Sequence, residues 1–248
     1  MFCYDSLPHQ NYLEEMLPVI ERFVSINGEG QNAGKLAAFI RFPGCNLSCS
    51  YCDTRWANEA EISYELVSIK ELVAFVIESG VCHVTLTGGE PTLQPFLGHL
   101  IDVLARIPLE DGSGLAIEIE TNGSTDIMRF IQQRTSWDDS VCGSLSLTMD
   151  YKLPSSGMEE RMHINNLSSI SACDTVKFVA GSAEDLERMR EIIMKYELSS
   201  KTSVYVSPVF GQLAPADIVE FMKTKGLTKV TLQLQLHKIV WPSYERGV

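Results

Sequence analysis

Three of the seven cysteines fall within one short stretch, Phe42-Pro-Gly-Cys-Asn-Leu-Ser-Cys-Ser-Tyr-Cys-Asp-Thr54, as a C-x3-C-x2-C triplet. Cys45, Cys49 and Cys52 therefore share one loop, and the fold has to present that loop at a site. Three thiolates so spaced suit three irons of a four-iron cluster, leaving the fourth iron open to a substrate or cofactor. Structural zinc needs four ligands, yet no fourth Cys or His follows closely, and His83, the next histidine, lies in an apolar run. A disulfide framework is disfavoured by the odd cysteine count and by the lack of a secretory leader. Cys3, Cys82, Cys142 and Cys173 are scattered and read as ordinary thiols.

The remaining composition narrows the setting. With 248 residues, 45% hydrophobic and 21% charged, the chain has the make-up of an ordinary globular protein. No apolar run approaches membrane-spanning length. The N-terminus carries Asp5, Glu14 and Glu15 where a signal peptide would have a basic start and an apolar stretch. A reducing cytoplasmic location is expected. The net charge of −12 opposes a phosphate backbone, and the densest basic group, Lys223, Lys225 and Lys229, reads as a solvated helix end. A small-molecule substrate is favoured, with no nucleic acid and no membrane.

Strand patterns centre on residues 37–42, 84–86, 116–119, 145–149, 176–179, 204–206 and 230–234, and from the second onward they recur about every 30 residues. Helical patterns fill the gaps. Ser68 with Glu71 is a capping-box signature ahead of the stripe Ile69, Leu72, Val73, Val76 and Ile77, with Gly80 as a stop. A second helix starts at Ser182 with Asp185, and a third runs over 214–225 to Gly226. This alternation predicts an α/β fold: a partial (βα) barrel of about six to seven mostly parallel strands. Residues 1–17 read as an N-terminal appendage, 18–238 as the barrel domain and 239–248 as a tail near the site.

In such barrels the site gathers at the C-terminal strand ends, and special residues do appear there. Arg41 and the cysteine loop follow the first strand pattern, Thr87-Gly88-Gly89-Glu90-Pro91 the second, and Glu118 to Asn122 close the third. Asp150-Tyr-Lys152 follows the fourth, Ser207-Pro208 the sixth and Gln235-Leu-His237-Lys238 the last. Glycines let a backbone approach a ligand closely, and a carboxylate favours a cationic amine. With Tyr51 before the last cysteine, the triplet resembles the signature of the radical S-adenosylmethionine (SAM) superfamily, and Gly88-Gly89-Glu90-Pro91 resembles that superfamily's GGEP segment. The resemblance implies a 4Fe-4S cluster on the three cysteines and SAM as cofactor. Contacts to SAM are implied for Tyr51, Asp53, Gly88, Gly89, Glu90, Glu120, Asn122, Asp150 and Lys152.

Ser25-Ile26-Asn27-Gly28-Glu29-Gly30, then Arg41, the Cys52-Asp53-Thr54 junction and the Gln-x-His-Lys ending together resemble 7-carboxy-7-deazaguanine synthase. That family usually has Gln where this chain has Asn27. The resemblance implies ring contraction of 6-carboxy-5,6,7,8-tetrahydropterin to 7-carboxy-7-deazaguanine with release of ammonia, in queuosine biosynthesis. It implies Mg2+ held by Thr54, a flavodoxin- or ferredoxin-like electron donor, and a homodimer. Substrate contacts are implied for Ile26, Asn27, Gly28, Glu29, Arg41, Thr87, Gln235 and His237, with Glu29, Arg41 and His237 closest to the chemistry. The chemistry suits these roles: Arg41 offers a planar fork to a carboxylate, Thr54 a hard oxygen to Mg2+, and His237 either a hydrogen bond or a mobile proton. The tail continues past Lys238, and either Trp241 or Pro242 would close the pocket. A glycyl-radical activating enzyme would share the triplet without needing the Asn-Gly-Glu-Gly segment or the His237-Lys238 ending. A non-catalytic cluster protein would not need special residues at successive strand ends.

Overall fold

Side-chain alternation along each central strand sets the architecture. The computed structural model describes residues 10–59, 61–242 and 245–247, so Cys3, Asp5, His9, Ser243, Tyr244 and Val248 lie outside the described residues. The strands are β1 (Met16–Val19), β2 (Glu21–Ile26), β3 (Leu36–Phe42), β4 (Glu65–Ser68), β5 (His83–Gly88), β6 (Ala116–Thr121), β7 (Ser144–Tyr151), β8 (Thr175–Ala180), β9 (Ser203–Pro208) and β10 (Val230–Leu232). The helices are α1 (Ile69–Ser79), α2 (Leu97–Leu104), α3 (Met128–Thr135), α4 (Asn166–Ser169), α5 (Ala183–Lys195), α6 (Leu198–Lys201), α7 (Pro215–Lys225) and α8 (His237–Val240).

One eight-stranded sheet runs in the order β10-β9-β8-β7-β6-β5-β3-β2, with β10 and β2 at its opposite edges. Strands β3 and β5 through β10 are mutually parallel, and β2 returns antiparallel to β3. This is the predicted partial barrel, with each of the seven strand patterns in the parallel set. Strand β2 was not foreseen, because Glu21-Arg-Phe-Val-Ser-Ile alternates weakly and exposes Arg22 and Val24. The ribbon that pairs β1 with β4 was not foreseen either.

On one face of the sheet, Ile40, Leu86, Ile117, Ile119, Leu147, Val176, Phe178 and Val206 join a single apolar core with Leu72, Val76, Ile101, Phe130, Leu186 and Ile193 from the covering helices. Burying each such side chain contributes about 1.5–3 kcal/mol. Leu13 and Leu17 enter the same core, so the described part of the N-terminal segment packs against the barrel. The capping box forms as predicted: Glu71 N donates to Ser68 Oγ and Ser68 N to Glu71 Oε2, and Gly80 closes α1. Ser182 caps α5, and Gly226 ends α7.

The other face is polar. Register sets Arg41 beside Thr87, Thr85 beside Glu118, Glu120 beside Thr148, Asp150 beside Lys177 and Val179 beside Ser207. Among the described residues no helix is long and apolar enough to cross a membrane.

Candidate functional site

The cysteine loop is locked to the barrel through backbone. Strand β3 ends at Phe42 and turns through Pro43-Gly44, while β5 ends beside it in Gly88-Gly89. Gly89 N donates to Phe42 O at 2.9 Å, and Glu90 N donates to Gly44 O at 2.7 Å. A Cβ on Gly88 would collide with Phe42, and one on Gly89 with Gly44 O and Asn58 Oδ1, so only glycine allows this approach. Glu90 is 0% exposed. It accepts from Thr92 N, Thr92 Oγ1 and Thr121 Oγ1 on one oxygen and from Asn122 N on the other, at 2.5–3.0 Å. Asn122 Nδ2 in turn donates to Cys45 Sγ at 3.4 Å and to Asn46 Oδ1 at 3.1 Å. The Gly-Gly-Glu-Pro and Glu-Thr-Asn-Gly segments thus form the wall behind the cysteines.

All six described cysteines are free. Burial pushes the Cys45 and Cys49 thiols up; beyond burial, Glu90 acts the same way on Cys45 and Asp150 on Cys49. Among the described residues no three His, Cys, Asp or Glu side chains converge as a metal-binding group. The donor chemistry nevertheless fits an iron–sulfur cluster: three sulfurs on one loop, with an amide N–H aimed at one of them. Loop anchoring fits as well, with Ser50 N donating to Ser156 O, Arg55 to Cys49 O and Tyr51 Oη to Val179 O. Burial pushes the Tyr51 phenol up. Thr54 Oγ1 lies 3.7 Å from Cys52 Sγ. Asp53 meets Lys238 Nζ at 3.0 Å and His237 Nε2 at 3.8 Å. Burial would raise the Asp53 carboxyl, but the hydrogen bond from His237 and the Lys238 ammonium hold it well below the usual carboxylate range.

The polar face continues as a connected network. Glu29, in the β2–β3 loop, accepts from Lys177 Nζ at 2.6 Å, Ser207 Oγ at 2.9 Å and Gln235 Nε2 at 3.1 Å. Burial alone would raise the Glu29 carboxyl, but Lys177 and the other donors outweigh burial and lower it. Lys177 also approaches Asp150 Oδ2 at 3.7 Å, and Lys152 reaches the same oxygen at 2.9 Å. Asp150 Oδ1 is buried without a partner among the described residues. Glu120 is half-buried, and its carboxylate takes no hydrogen bond among the described residues. Glu118, 4% exposed, is bonded to Thr148 and to Asn32; burial first, then the neighbouring Glu120, pushes it up to about 6.

Asn27 is 1% exposed. Its Oδ1 accepts from Thr85 Oγ1 at 2.7 Å, while Nδ2 lacks a partner among the described residues, as does Ser25 Oγ. A buried donor left unpaired costs about 1–3 kcal/mol, which suits a site completed by a ligand. Ile26 ends β2 just before Asn27 and is partly buried. Gly28 O accepts from Leu236 N, and a Cβ there would lie 2.5 Å from His237 Nδ1. Gly30 N donates to Gln233 Oε1, and Gln233 Nε2 donates back to Gly30 O. Arg41 pairs with Glu21 through Nε at 2.7 Å and lies over the Phe23 and Trp56 rings, 5.9 Å from each centroid. Arg246 lies over the same Trp56 ring at 4.2 Å.

Residues named from the sequence thus meet at several points, Asp53 with His237 and Asp150 with Lys152 among them. Glu29 with Gln235, and Gly28 with His237, join the two chain ends. Glu90 and Asn122 join the cysteine wall. Lys177, Ser207 as a direct partner of Glu29, Gln233 and Trp56 escaped the sequence reading. The available signal was Lys177 itself, the one charged residue in the apolar run Val176-Lys-Phe-Val179.

A family model described as the radical SAM superfamily matches residues 39–137. The chain is 47% identical over 230 residues to the 7-carboxy-7-deazaguanine synthase of Clostridium acetobutylicum, spanning 93% of this chain and 98% of that one. It is 34% identical over 224 residues to that of Methanospirillum hungatei, spanning 90% of this chain and 85% of the relative. Among solved structures, QueE from Escherichia coli superposes with a TM-score of 0.63 at 22% identity, covering 89% of this chain and 94% of that one, a likeness of fold.

Proposed function

The chain belongs to the 7-carboxy-7-deazaguanine synthase family of radical SAM enzymes, and from that premise we propose that it converts 6-carboxy-5,6,7,8-tetrahydropterin to 7-carboxy-7-deazaguanine. One ammonia leaves and no net oxidation occurs. The observation that carries this reading is the pairing of a buried carboxylate, Glu29, with the unpartnered amide donor of Asn27. An aminopyrimidinone presents N–H donors and a carbonyl acceptor on one edge, and this pair offers the complement.

Cys45, Cys49 and Cys52 would hold the 4Fe-4S cluster, which together with SAM supplies a carbon radical able to abstract hydrogen. Tyr51, Asp53, Gly88, Gly89, Glu90, Glu120, Asn122, Asp150 and Lys152 would line the SAM side. The open carboxylate of Glu120 suits a ribose hydroxyl. Arg41 bonds Glu21 through Nε, and its terminal nitrogens would take the substrate carboxylate. Thr87 stands beside Arg41 and Ile26 beside Asn27 on that wall. Gln235 orients Glu29, and His237, packed on Gly28, would hold or move a proton at the substrate carboxylate. Thr54 would supply one oxygen to Mg2+. The barrel over 18–238 would act as the catalytic unit, with the tail across its mouth, in a cytoplasmic homodimer reduced by a flavodoxin- or ferredoxin-like donor.

The test is anaerobic turnover of cluster-reconstituted protein with SAM, Mg2+, reductant and 6-carboxytetrahydropterin, read by mass spectrometry. The expected product is 7-carboxy-7-deazaguanine. Accumulation of 5′-deoxyadenosine alone would retain the radical chemistry and reject the substrate.

A further inference from the structure

Lys177 stands mid-strand on β8 with its side chain on the polar face, and its ammonium touches Glu29 at 2.6 Å and approaches Asp150 at 3.7 Å. The ionisable groups around the Lys177–Glu29 pair come from several elements. β6 contributes Glu118 and Glu120, β7 contributes Asp150, and Lys152 follows β7. His237 packs on Gly28, next to Glu29. Ser207 and Gln235 add uncharged donors. Lys152 bonds Asp150. Among the described residues, Lys177 is thus the cation in direct contact with Glu29.

We propose that Lys177 is a positioning residue for the pterin site: its charge keeps Glu29 an acceptor-only carboxylate facing the donor edge of the substrate. The proposal rests on the substrate reading above. Its physical basis is the cost of an isolated charge in a buried site. Without Lys177, the buried Glu29 keeps only the uncharged donors Ser207 and Gln235, so the neutral acid is favoured. A carboxylic acid carries a proton of its own and cannot accept two N–H bonds from the substrate without turning that proton away. Lys177 acts through Glu29 and needs no contact with the reacting atoms.

The experiment compares wild-type, Lys177→Met, Lys177→Arg and the double variant Lys177→Met/Glu29→Gln, all full-length. The double variant removes the uncompensated carboxyl and guards against a folding failure. In infrared difference titration near neutral pH, all four proteins share the Glu118 signal, and Lys177→Met should show a further protonated-carboxyl C=O band that wild type, Lys177→Arg and the double variant lack. In turnover, the pterin KM of Lys177→Met should rise about tenfold or more near neutral pH and recover as Glu29 ionises at higher pH. The KM for SAM and the cluster absorbance should stay at wild-type values. Absence of the further carboxyl band, or a raised pterin KM that ignores pH, overturns the proposal. If wild type fails to turn over the pterin, the substrate reading falls, and the infrared band still decides whether Lys177 sets the charge of Glu29.

Discussion

Glu29 and Glu118 are both buried on the polar face of one sheet, yet their environments push them in opposite directions. Glu29 has Lys177 at 2.6 Å and is lowered, so its contribution to stability is present above its unfolded value and lost as pH falls. Among the described residues Glu118 has no cation in direct contact, Lys177 acting on it only at longer range, and it sits beside Glu120. Burial, then that neighbour, pushes it up from an ordinary 4.5 to about 6. The sign is then reversed: stability is fully present below about pH 4.5 and lost as pH rises through about 6. Glu118→Gln keeps the partners Thr148 and Asn32 and removes the ionisation. It should match wild type in urea unfolding near pH 4.5 and exceed it above pH 6 by about 2 kcal/mol. A difference that stays constant with pH would mean that the Glu118 carboxyl titrates alike in the folded and unfolded states.

At the scale of elements, the join between the β5 end and the cysteine loop carries the site. Two backbone hydrogen bonds link Gly89 and Glu90 to Phe42 and Gly44, with no room for a side chain between them. Gly89→Ala should cost about 1–3 kcal/mol through overpacking and weaken cluster reconstitution, read by absorbance, with far-UV dichroism retained. Gly98→Ala in α2 is the control. A Cβ there makes ordinary contact with Gln133, and the helix should gain up to about 1 kcal/mol. Equal cluster loading in both variants would remove the glycine junction from the site. Most parallel elements were legible because their signals are local: the Ser68–Glu71 box, the Gly80 and Gly226 stops, and apolar runs of strand length. The β1–β4 ribbon and β2 were not, because short edge strands owe their existence to a neighbour rather than to their own pattern.

For the molecule as a whole, the C-terminal segment closes the polar face against the start of the barrel. Leu236 bonds Gly28, Gln233 bonds Gly30, Lys238 pairs with Asp53, and Arg246 stacks on Trp56 beside Arg41. Truncation after Val240 removes the last of these ties and keeps the others. It should leave the melting temperature nearly unchanged, raise the pterin KM severalfold and increase 5′-deoxyadenosine formed without pterin product. An unchanged KM would show that the tail covers no part of the substrate site. The sequence by itself determined the cysteine triplet, the Gly-Gly-Glu-Pro turn and the polar residues at strand ends, since spacing and period are local properties of a chain. Tertiary structure alone decided that Lys177 meets Glu29 across 148 positions, that Gly30 meets Gln233 across 203, and that Asn122 faces Cys45. Those meetings depend on strand order and on the two-residue parity that sends a side chain to one face or the other. Neither is written in the separation between two residues along the chain.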